Sequence, residues 1–415
     1  MTTPLSEQKR PSKDKCFARQ IAERIEAVDK EVADFQSAFA SHDTNARRLL
    51  MDAAHTPDRF ENYEPDAETI SQTDARLLIA NKHGFALWKK FESYLHLLPP
   101  VVGIIEAIDL DDEKTVEEIL REEPEAANPT WVKGYKPVGG YFYPNDSIPL
   151  HRVCQAYNGR LIDNDTSYRI AKRLLDAGAD PDFHDGLPMS SAVSYGALRV
   201  AEALLDAGAA VDGVDGDGLP MAYPLHFGRT DVAEYLAERG ATLDLRFAAG
   251  LGKLDLVKSF FNEDGTVKPD SMQLADPYGH ETKREGKNVV QAERTTQNIL
   301  MQAMYFACKN ARLEAVAFLL DHVEDINAVV PGLDIEAPIL HRIALFESDP
   351  SGDVDSIGFA ATEKRLLPVI QFLLEHGADP NVRDPRFDAS ALGWAQHTVP
   401  SSEAVVGLLE KYMRL

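Results

Sequence analysis

The sequence predicts an all-α solenoid of about eight helix pairs, preceded by a helical N-terminal extension. Three observations lead to this prediction: an internal repeat of 32 residues, leucine-rich helix endings followed by glycine, and a long amphipathic segment near the N-terminus. Periods of 20–50 residues indicate repeat architectures, in which each unit buries its apolar face against its neighbours. We therefore expect stability to come from the stacking of units.

The N-terminal extension, residues 1–100, is predicted to begin with one long amphipathic helix over residues 14–40. Its apolar residues recur at steps of three and four, as one helical face requires: Phe17, Ile21, Ile25, Val28, Val32, Phe35 and Phe39. We favour packing of this helix as a cap on the first repeat, with a coiled coil to a partner as the alternative. Thr73 is predicted to cap a second helix, Asp74–Lys82.

The repeat is found by aligning the sequence with itself. Gly186–Met189 and Gly218–Met221 share the sequence Gly-Leu-Pro-Met, and the register continues through Val200–Glu202 and Val232–Glu234. We count eight units over residues 101–415, starting near residues 102, 146, 186, 218, 242, 299, 337 and 388. Four glycines follow second helices, where a left-handed cap needs no Cβ: Gly178, Gly208, Gly240 and Gly377.

Two sets of motifs resemble the ankyrin repeat family. Leu174–Pro181, Leu204–Val211 and Leu373–Asn381 resemble the end of the second helix, and Pro149–Cys154 and Leu340–Ala344 resemble the opening Thr-Pro-Leu-His signature. Ala75–Trp88 is similar to a leader found before repeats in bacterial ankyrin proteins. The resemblance implies a helix-pair fold that binds other proteins. Ala311, in place of the usual glycine between helices, and Pro224, inside a first helix, depart from the pattern.

Four segments exceed the repeat length: 128–146, 158–168, 262–297 and 347–363. Insertions of this length are usually functional or disordered. We predict that the first and third fold over a concave groove, with aromatic residues near His226. The candidate binding residues are Trp131, Tyr135, Tyr141, Phe142, Tyr143, His226, Phe227, Tyr278 and His280. Packing of these aromatics on the protein body is the equally weighted alternative.

The charge of the chain is strongly acidic and unevenly distributed. The net charge is −24, and residues 1–100 hold 14 basic and 16 acidic residues, which leaves −22 for the remainder. Such a surface repels phosphate backbones, so we predict no nucleic-acid partner. It would attract a basic protein or a cationic ligand, but solubility alone accounts for the charge and is the favoured explanation.

The sequence contains no motif for catalysis, metal binding or a cofactor, and we predict none of the three. His151 and His341 occupy the Thr-Pro-Leu-His position, where the resemblance implies hydrogen bonding to neighbouring backbone. Asp212, Asp215 and Asp217 are explained by turn formation better than by cation binding. The three scattered cysteines, Cys16, Cys154 and Cys308, suit a reducing cytoplasm.

The leading functional hypothesis is a non-catalytic scaffold that binds a protein partner through its concave face and inter-repeat loops. The alternative is a small-molecule-binding protein or enzyme, with a pocket in the groove under the inserts at 128–146 and 262–297. A purely structural role is a third hypothesis. No apolar run reaches the roughly 20 residues that cross a bilayer, so we predict no membrane partner and a cytoplasmic location.

Overall fold

The structure is a computed structural model that describes residues 13–53, 69–83, 85, 87–131, 148–272, 292–333, 335–345, 356–397 and 401–413. The chain divides into two compact units. The first consists of residues 1–152 with 176–179, and the second of residues 153–175 with 180–415. Each unit is helical over the described residues. Strand-like pairing between backbone segments there is limited to four isolated β-bridges.

The first unit begins with the predicted long helix, α1 (Lys13–Ala40), which is confirmed. It packs with α2 (Thr44–Ala53), α3 (Gln72–Lys82) and α4 (Trp88–Leu95) around an aromatic and aliphatic core. The predicted cap of α3 is wrong. Ser71 caps this helix, because its hydroxyl accepts the backbone N–H of Asp74, and Thr73 lies inside the first turn.

The first helix pair follows in the same unit as α5 (Pro99–Asp109) and α6 (Glu113–Glu122). Helix α1 contacts α5, and Arg24 on α1 donates to the carbonyls of Tyr94, Leu95 and Leu97 just before it. Burial lowers the pKa of Arg24, because desolvation disfavours its charged form. These bonds tie the extension to the start of the repeats.

Seven further helix pairs are present in the described residues, so the predicted fold class is confirmed. They are α7 (Pro149–Asn158) with α8 (Asn164–Asp176), α9 (Phe183–Tyr195) with α10 (Leu198–Asp206), α11 (Leu219–His226) with α12 (Thr230–Glu238), α13 (Leu245–Leu251) with α14 (Leu254–Ser259), α15 (Thr296–Lys309) with α16 (Leu313–Leu320), α17 (Ile339–Ala344) with α18 (Ser356–Glu375), and α19 (Ala391–His397) with α20 (Glu403–Met413).

First helices of successive repeats pack on one another from α9 to α19. The four glycines predicted to cap second helices are confirmed as left-handed: Gly178, Gly208, Gly240 and Gly377 have φ angles of +97°, +96°, +95° and +99°. Ala311 lies between α15 and α16 with a φ of +55°, while the matching Gly228 and Gly252 have +71° and +72°. Ala311 therefore accepts a conformation that costs an L-residue free energy.

The repeat formed by α13 and α14 is short, and it lets its two neighbours touch. A Cβ on Gly250 would lie 2.9 Å from Leu225 Cδ1 on α11 and 3.1 Å from Phe306 Cβ on α15. Asn310 at the end of α15 donates to the carbonyl of Leu225 at 2.8 Å. The absence of a side chain at position 250 thus allows α11 and α15 to contact each other across α13.

Parts of two predicted inserts lie within helices. Residues 164–168 of the segment predicted at 158–168 lie inside α8, and residues 356–363 of the segment at 347–363 lie inside α18. The remainder of the latter segment, and residues 132–146 and 273–291 of the two long inserts, lie outside the described residues. The start of the segment at 262–297 forms a tight turn, in which Asn262 N–H donates to Thr266 O at 2.8 Å.

Candidate functional site

Hydrogen bonds from one inter-repeat loop to the next set the positions of these loops in the second unit. The Asp182 carboxylate accepts the N–H of Ala210 at 3.2 Å, and the Asp212 carboxylate accepts the N–H and the hydroxyl of Thr242 at 2.7 and 2.6 Å. Later in the unit, Asn327 donates to Gly377 O and accepts from Asp379 N–H. Neighbouring loops are thus held to one another by hydrogen bonds.

The turn role predicted for the acids at 212–217 is seen for Asp217, whereas the Asp212 carboxylate bonds the neighbouring loop and not its own turn. Asp212 bonds the next loop, and Asp217 Oδ1 accepts the N–H of Leu219 at 2.9 Å. No group of three or more His, Cys, Asp or Glu side chains suited to a metal ion occurs within the described parts of the chain.

The last inter-repeat loop, residues 379–390, is organised around the buried carboxylate of Asp384. It accepts the N–H groups of Arg386, Phe387 and Ala389 at 2.9, 2.7 and 3.0 Å, and the indole N–H of Trp394 at 3.0 Å. Burial would raise the pKa of Asp384, but these hydrogen bonds to the charged form lower the pKa by more, so the net pKa lies below its ordinary value. We call residues 383–390 the terminal hairpin, since Arg383 and Ser390 form an antiparallel bridge.

The tip of the terminal hairpin presents an aromatic ring to solvent. Phe387 is 57% exposed, and it is the only exposed aromatic among the side chains that the structure describes. Its ring stacks edge-on against Trp394 at 6.0 Å between centroids, and the guanidinium of Arg386 lies 5.2 Å from its centre. Arg383 donates to Asp388 O and closes the turn. The tip thus combines an apolar ring with two exposed cations.

His341 joins the terminal hairpin to the preceding repeat. It is fully buried, and its Nε2 lies 3.1 Å from the carbonyl oxygen of Ala389. This is the backbone hydrogen bond that the ankyrin resemblance implies. Burial lowers the pKa of His341 below its ordinary 6.5, although the bond to Ala389 and the charge of Asp384 act in the opposite direction.

Among the predicted binding residues, Trp131 lies in the first unit. Its indole N–H donates to Ser93 O at 3.1 Å, and it forms an isolated bridge with Leu97. Tyr135, Tyr141, Phe142, Tyr143, Tyr278 and His280 lie outside the described residues, so the aromatic wall near His226 stays a prediction.

His226 and Phe227 lie at the end of α11. His226 is buried, its Nδ1 is 2.7 Å from the hydroxyl of Tyr305 on α15, and its ring meets Phe227 edge-on at 4.8 Å. The sequence analysis missed Tyr305 and Arg342, whose guanidinium lies 3.5 Å from the same hydroxyl. The histidine at the end of a first helix can be recognised in the sequence as a candidate. Its partner Tyr305 cannot, because it lies 79 positions away.

A second polar group that the sequence analysis missed is the buried ion pair of Asp244 and Arg246. Both side chains are fully buried, and Arg246 Nη2 lies 2.6 Å from Asp244 Oδ2. Arg246 also donates to Gln302 on α15. Every residue of α13 is buried. The core between the first helices nevertheless contains polar side chains, namely this ion pair, Tyr305 and Arg342.

Two of the three cysteines are buried inside first helices. Burial raises the pKa of Cys154 to about 12 and also raises the pKa of Cys308. Both thiols are therefore protonated at neutral pH, which removes the thiolate that nucleophilic chemistry needs.

Comparison with known proteins agrees with the resemblance noted for Leu373–Asn381. Residues 359–385 match the family model described as Ankyrin repeat. These residues cover most of α18 and the loop that continues into the terminal hairpin. Ankyrin repeats are generally protein-interaction scaffolds. A search of curated proteins by sequence found no match. No described helix is both long and apolar enough to cross a membrane.

Three similar solved structures are ankyrin repeat proteins. The human ASB11 ankyrin repeat domain is 20% identical, with 63% of this chain and 96% of that chain covered and a TM-score of 0.27. The ankyrin repeat protein EF0377 is 18% identical, with 63% and 96% covered and a TM-score of 0.25. The ankyrin repeat domain of Bcl-3, a member of the IkappaB protein family, is 17% identical, with 62% and 97% covered and a TM-score of 0.23.

Proposed function

We propose that this protein is a non-catalytic recognition scaffold that binds a protein partner through its inter-repeat loops and the concave face of its first helices. The observation that carries the proposal is Phe387, an exposed aromatic ring on a hairpin held by four hydrogen bonds to Asp384. Aromatic and arginine side chains dominate binding hot spots, and a preformed loop loses little conformational entropy on binding. The terminal hairpin is therefore the first surface to test.

The charge of the partner is a separate part of this proposal. The −22 net charge beyond residue 100 would steer a basic partner towards the array. Because salt screens surface charges beyond about 10 Å at 0.1 M, affinity for such a partner should fall as salt is raised. Affinity that stays constant from low to high salt would rule out this steering.

The test is site-specific photo-crosslinking in native lysate. Phe387 is replaced with a photoreactive benzoyl-phenylalanine, and the exposed Glu238 on α12 receives the same group as the matched control. We expect a discrete crosslinked protein from position 387 and none from position 238. Equal labelling at both positions, or none at 387 while a specific partner still co-purifies, would contradict binding by the terminal hairpin.

The second candidate function is binding of a small molecule, or catalysis on one, in the groove. The polar group of His226, Tyr305 and Arg342 favours it, because convergent polar side chains in an apolar interior are typical of ligand sites. A thermal-shift screen with carboxylate and phosphate metabolites tests it. A ligand whose stabilising effect disappears in Tyr305→Phe but persists in Tyr235→Phe would support this candidate, and a screen without such a ligand would count against it.

A further inference from the structure

Arginines of the second unit cover glycines in the turns between paired helices. Arg229 covers Gly196, where a Cβ would lie 3.4 Å from Arg229 Cδ. In the same way, Arg365 covers Gly228 and Arg312 covers Gly252. Glycine at these positions supplies both the left-handed backbone and the room for an arginine.

Arg365, on α18, reaches the turns of two earlier repeats. Its guanidinium donates to Lys309 O at the end of α15. Its Nη2 lies 2.9 Å from the place where a Cβ of Gly228 would be, so the guanidinium lies against the turn between α11 and α12. One arginine of the seventh repeat thus contacts turns of the fourth and sixth repeats.

Arg312 directly precedes α16, three residues after Lys309. Its Nε donates to Gly250 O at 3.3 Å, and its Cδ lies 2.9 Å from the Cβ position of Gly252. The Arg312 guanidinium therefore lies against the turn of residues 250–252, and the Arg365 guanidinium lies against the turns that contain Gly228 and Lys309. Each makes one described hydrogen bond, and a guanidinium has five N–H donors, so several donors of each remain available to a ligand.

Neither of these two arginines has an acidic partner within the described residues. By contrast, Arg152, Arg199 and Arg239 each form an ion pair with a carboxylate. Both are half-buried. Burial lowers the pKa of Arg365, and the positive charge of Arg312 lowers it further. Two like charges are thus held close together in a protein of net charge −24.

We propose that Arg312 and Arg365 form a binding site for an oxyanion, a carboxylate or phosphoryl group, beside the turns of residues 250–252 and 309–312. The planar guanidinium suits such groups, because its parallel N–H donors match their oxygen atoms. A bound anion would also remove the repulsion between the two cations. The site does not depend on partner binding at the terminal hairpin, so either proposal can fail alone.

The test is the melting temperature in inorganic phosphate at constant ionic strength, since a ligand that binds only the folded state raises it. For the wild type we expect a rise of about 2 °C at phosphate well above its dissociation constant, relative to chloride. The rise should disappear in Arg312→Gln and Arg365→Gln. It should persist in Arg239→Gln, which removes the same charge from the pair with Asp206.

A further variant and two ligands complete the test. Arg365→Lys keeps the charge but loses the planar donors, so it should weaken the phosphate effect even if Arg365→Gln does not fold. Calorimetry with a glutamate-rich peptide and with a phosphoserine peptide separates a partner segment from a free anion as the source of the group. An equal phosphate effect in the wild type, Arg312→Gln and Arg365→Lys would overturn the proposal, and so would no phosphate effect in the wild type.

Discussion

The inter-repeat loops at residues 208–218 and 377–390 share a frame and differ at their tips. Each begins with a left-handed glycine, with φ angles of +96° at Gly208 and +99° at Gly377. Each also contains a buried aspartate that accepts backbone N–H groups, Asp217 in one and Asp384 in the other. The tip of the first carries carboxylates, with Asp212 bonded to Thr242, whereas the second presents two arginines and an exposed phenylalanine.

This difference separates the residues that form a loop from those that act through it. In both loops the glycine adopts the left-handed backbone conformation and the aspartate accepts backbone N–H groups. Replacing either residue should therefore change the free energy of unfolding. The tip residues make few contacts with the body, so they are free to vary and to bind. Substitutions in the frame should therefore change unfolding, and those at the tip should change binding.

The largest effect on stability is expected from Asp384→Ala. This change leaves three backbone N–H groups and the Trp394 indole without their acceptor, so we expect a loss of about 2–3 kcal/mol in the free energy of unfolding. Asp212→Ala, a change at the tip of the other loop, should cost less, about 1 kcal/mol, because the Asp212 carboxylate bonds only Thr242. Urea unfolding followed by fluorescence measures both. Equal losses would show that the Asp384 carboxylate contributes no more to stability than the Asp212 carboxylate at the other loop's tip.

The next effect is expected from Gly208→Val. No atom lies within 4 Å of a Cβ at Gly208, so steric contact adds nothing and the cost is the positive φ alone, about 1–2 kcal/mol. Gly407→Ala is the control, because this glycine lies inside α20 with equally open surroundings. It should stabilise the protein by about 0.5–1 kcal/mol. An unchanged melting temperature in Gly208→Val would show that the cap tolerates a β-branched residue.

A smaller, pH-dependent effect is expected from His341, which binds the terminal hairpin and has no counterpart in the other loop. Its folded pKa is lowered, so the neutral ring contributes stability above its ordinary pKa of 6.5. That stability is lost as pH falls towards the folded pKa, because the unfolded state takes up the proton first. Between pH 7 and 5.5 the wild type should lose more stability than His341→Gln. Parallel curves for the two proteins would contradict this assignment.

The smallest effect on stability is expected from Phe387→Ser. The ring is mostly exposed, so the free energy of unfolding should change by less than about 0.5 kcal/mol. Partner capture should nevertheless fall at least tenfold, which a pull-down of the crosslinked partner with both proteins can measure. A stable variant that binds as well as the wild type would assign the tip no role in binding.

The periodic elements of the fold could be predicted from the sequence, because periodicity reports which face of a helix is buried. The predicted repeat starts near 146, 218 and 299 lie within three residues of Pro149, Leu219 and Thr296, where the first helices begin. The cap of α3 was wrong by two residues because Ser71 and Thr73 are both good caps, and sequence alone does not show where the chain turns into the helix.

The candidate site was largely missed because its properties arise from distant contacts. Phe387 lies alone in a loop of ordinary length, and its exposure depends on the fold of the hairpin around Asp384. The signal available in the sequence was a single aromatic between two charged residues and two positions after a proline, in Arg383–Asp388. The close approach of Arg312 and Arg365 joins two repeats, and no local pattern encodes it.

Gly250 has a consequence for how the array unfolds. In an ideal linear array each repeat contacts only its nearest neighbours, so single repeats can unfold locally or be replaced one at a time. Here the glycine lets α11 and α15 meet across α13, and the bond from Asn310 to Leu225 O joins second neighbours. The fourth, fifth and sixth repeats should therefore open together, as one cooperative step in amide hydrogen exchange. Deleting or replacing the fifth repeat as a module should therefore also disrupt the contact between the fourth and sixth repeats.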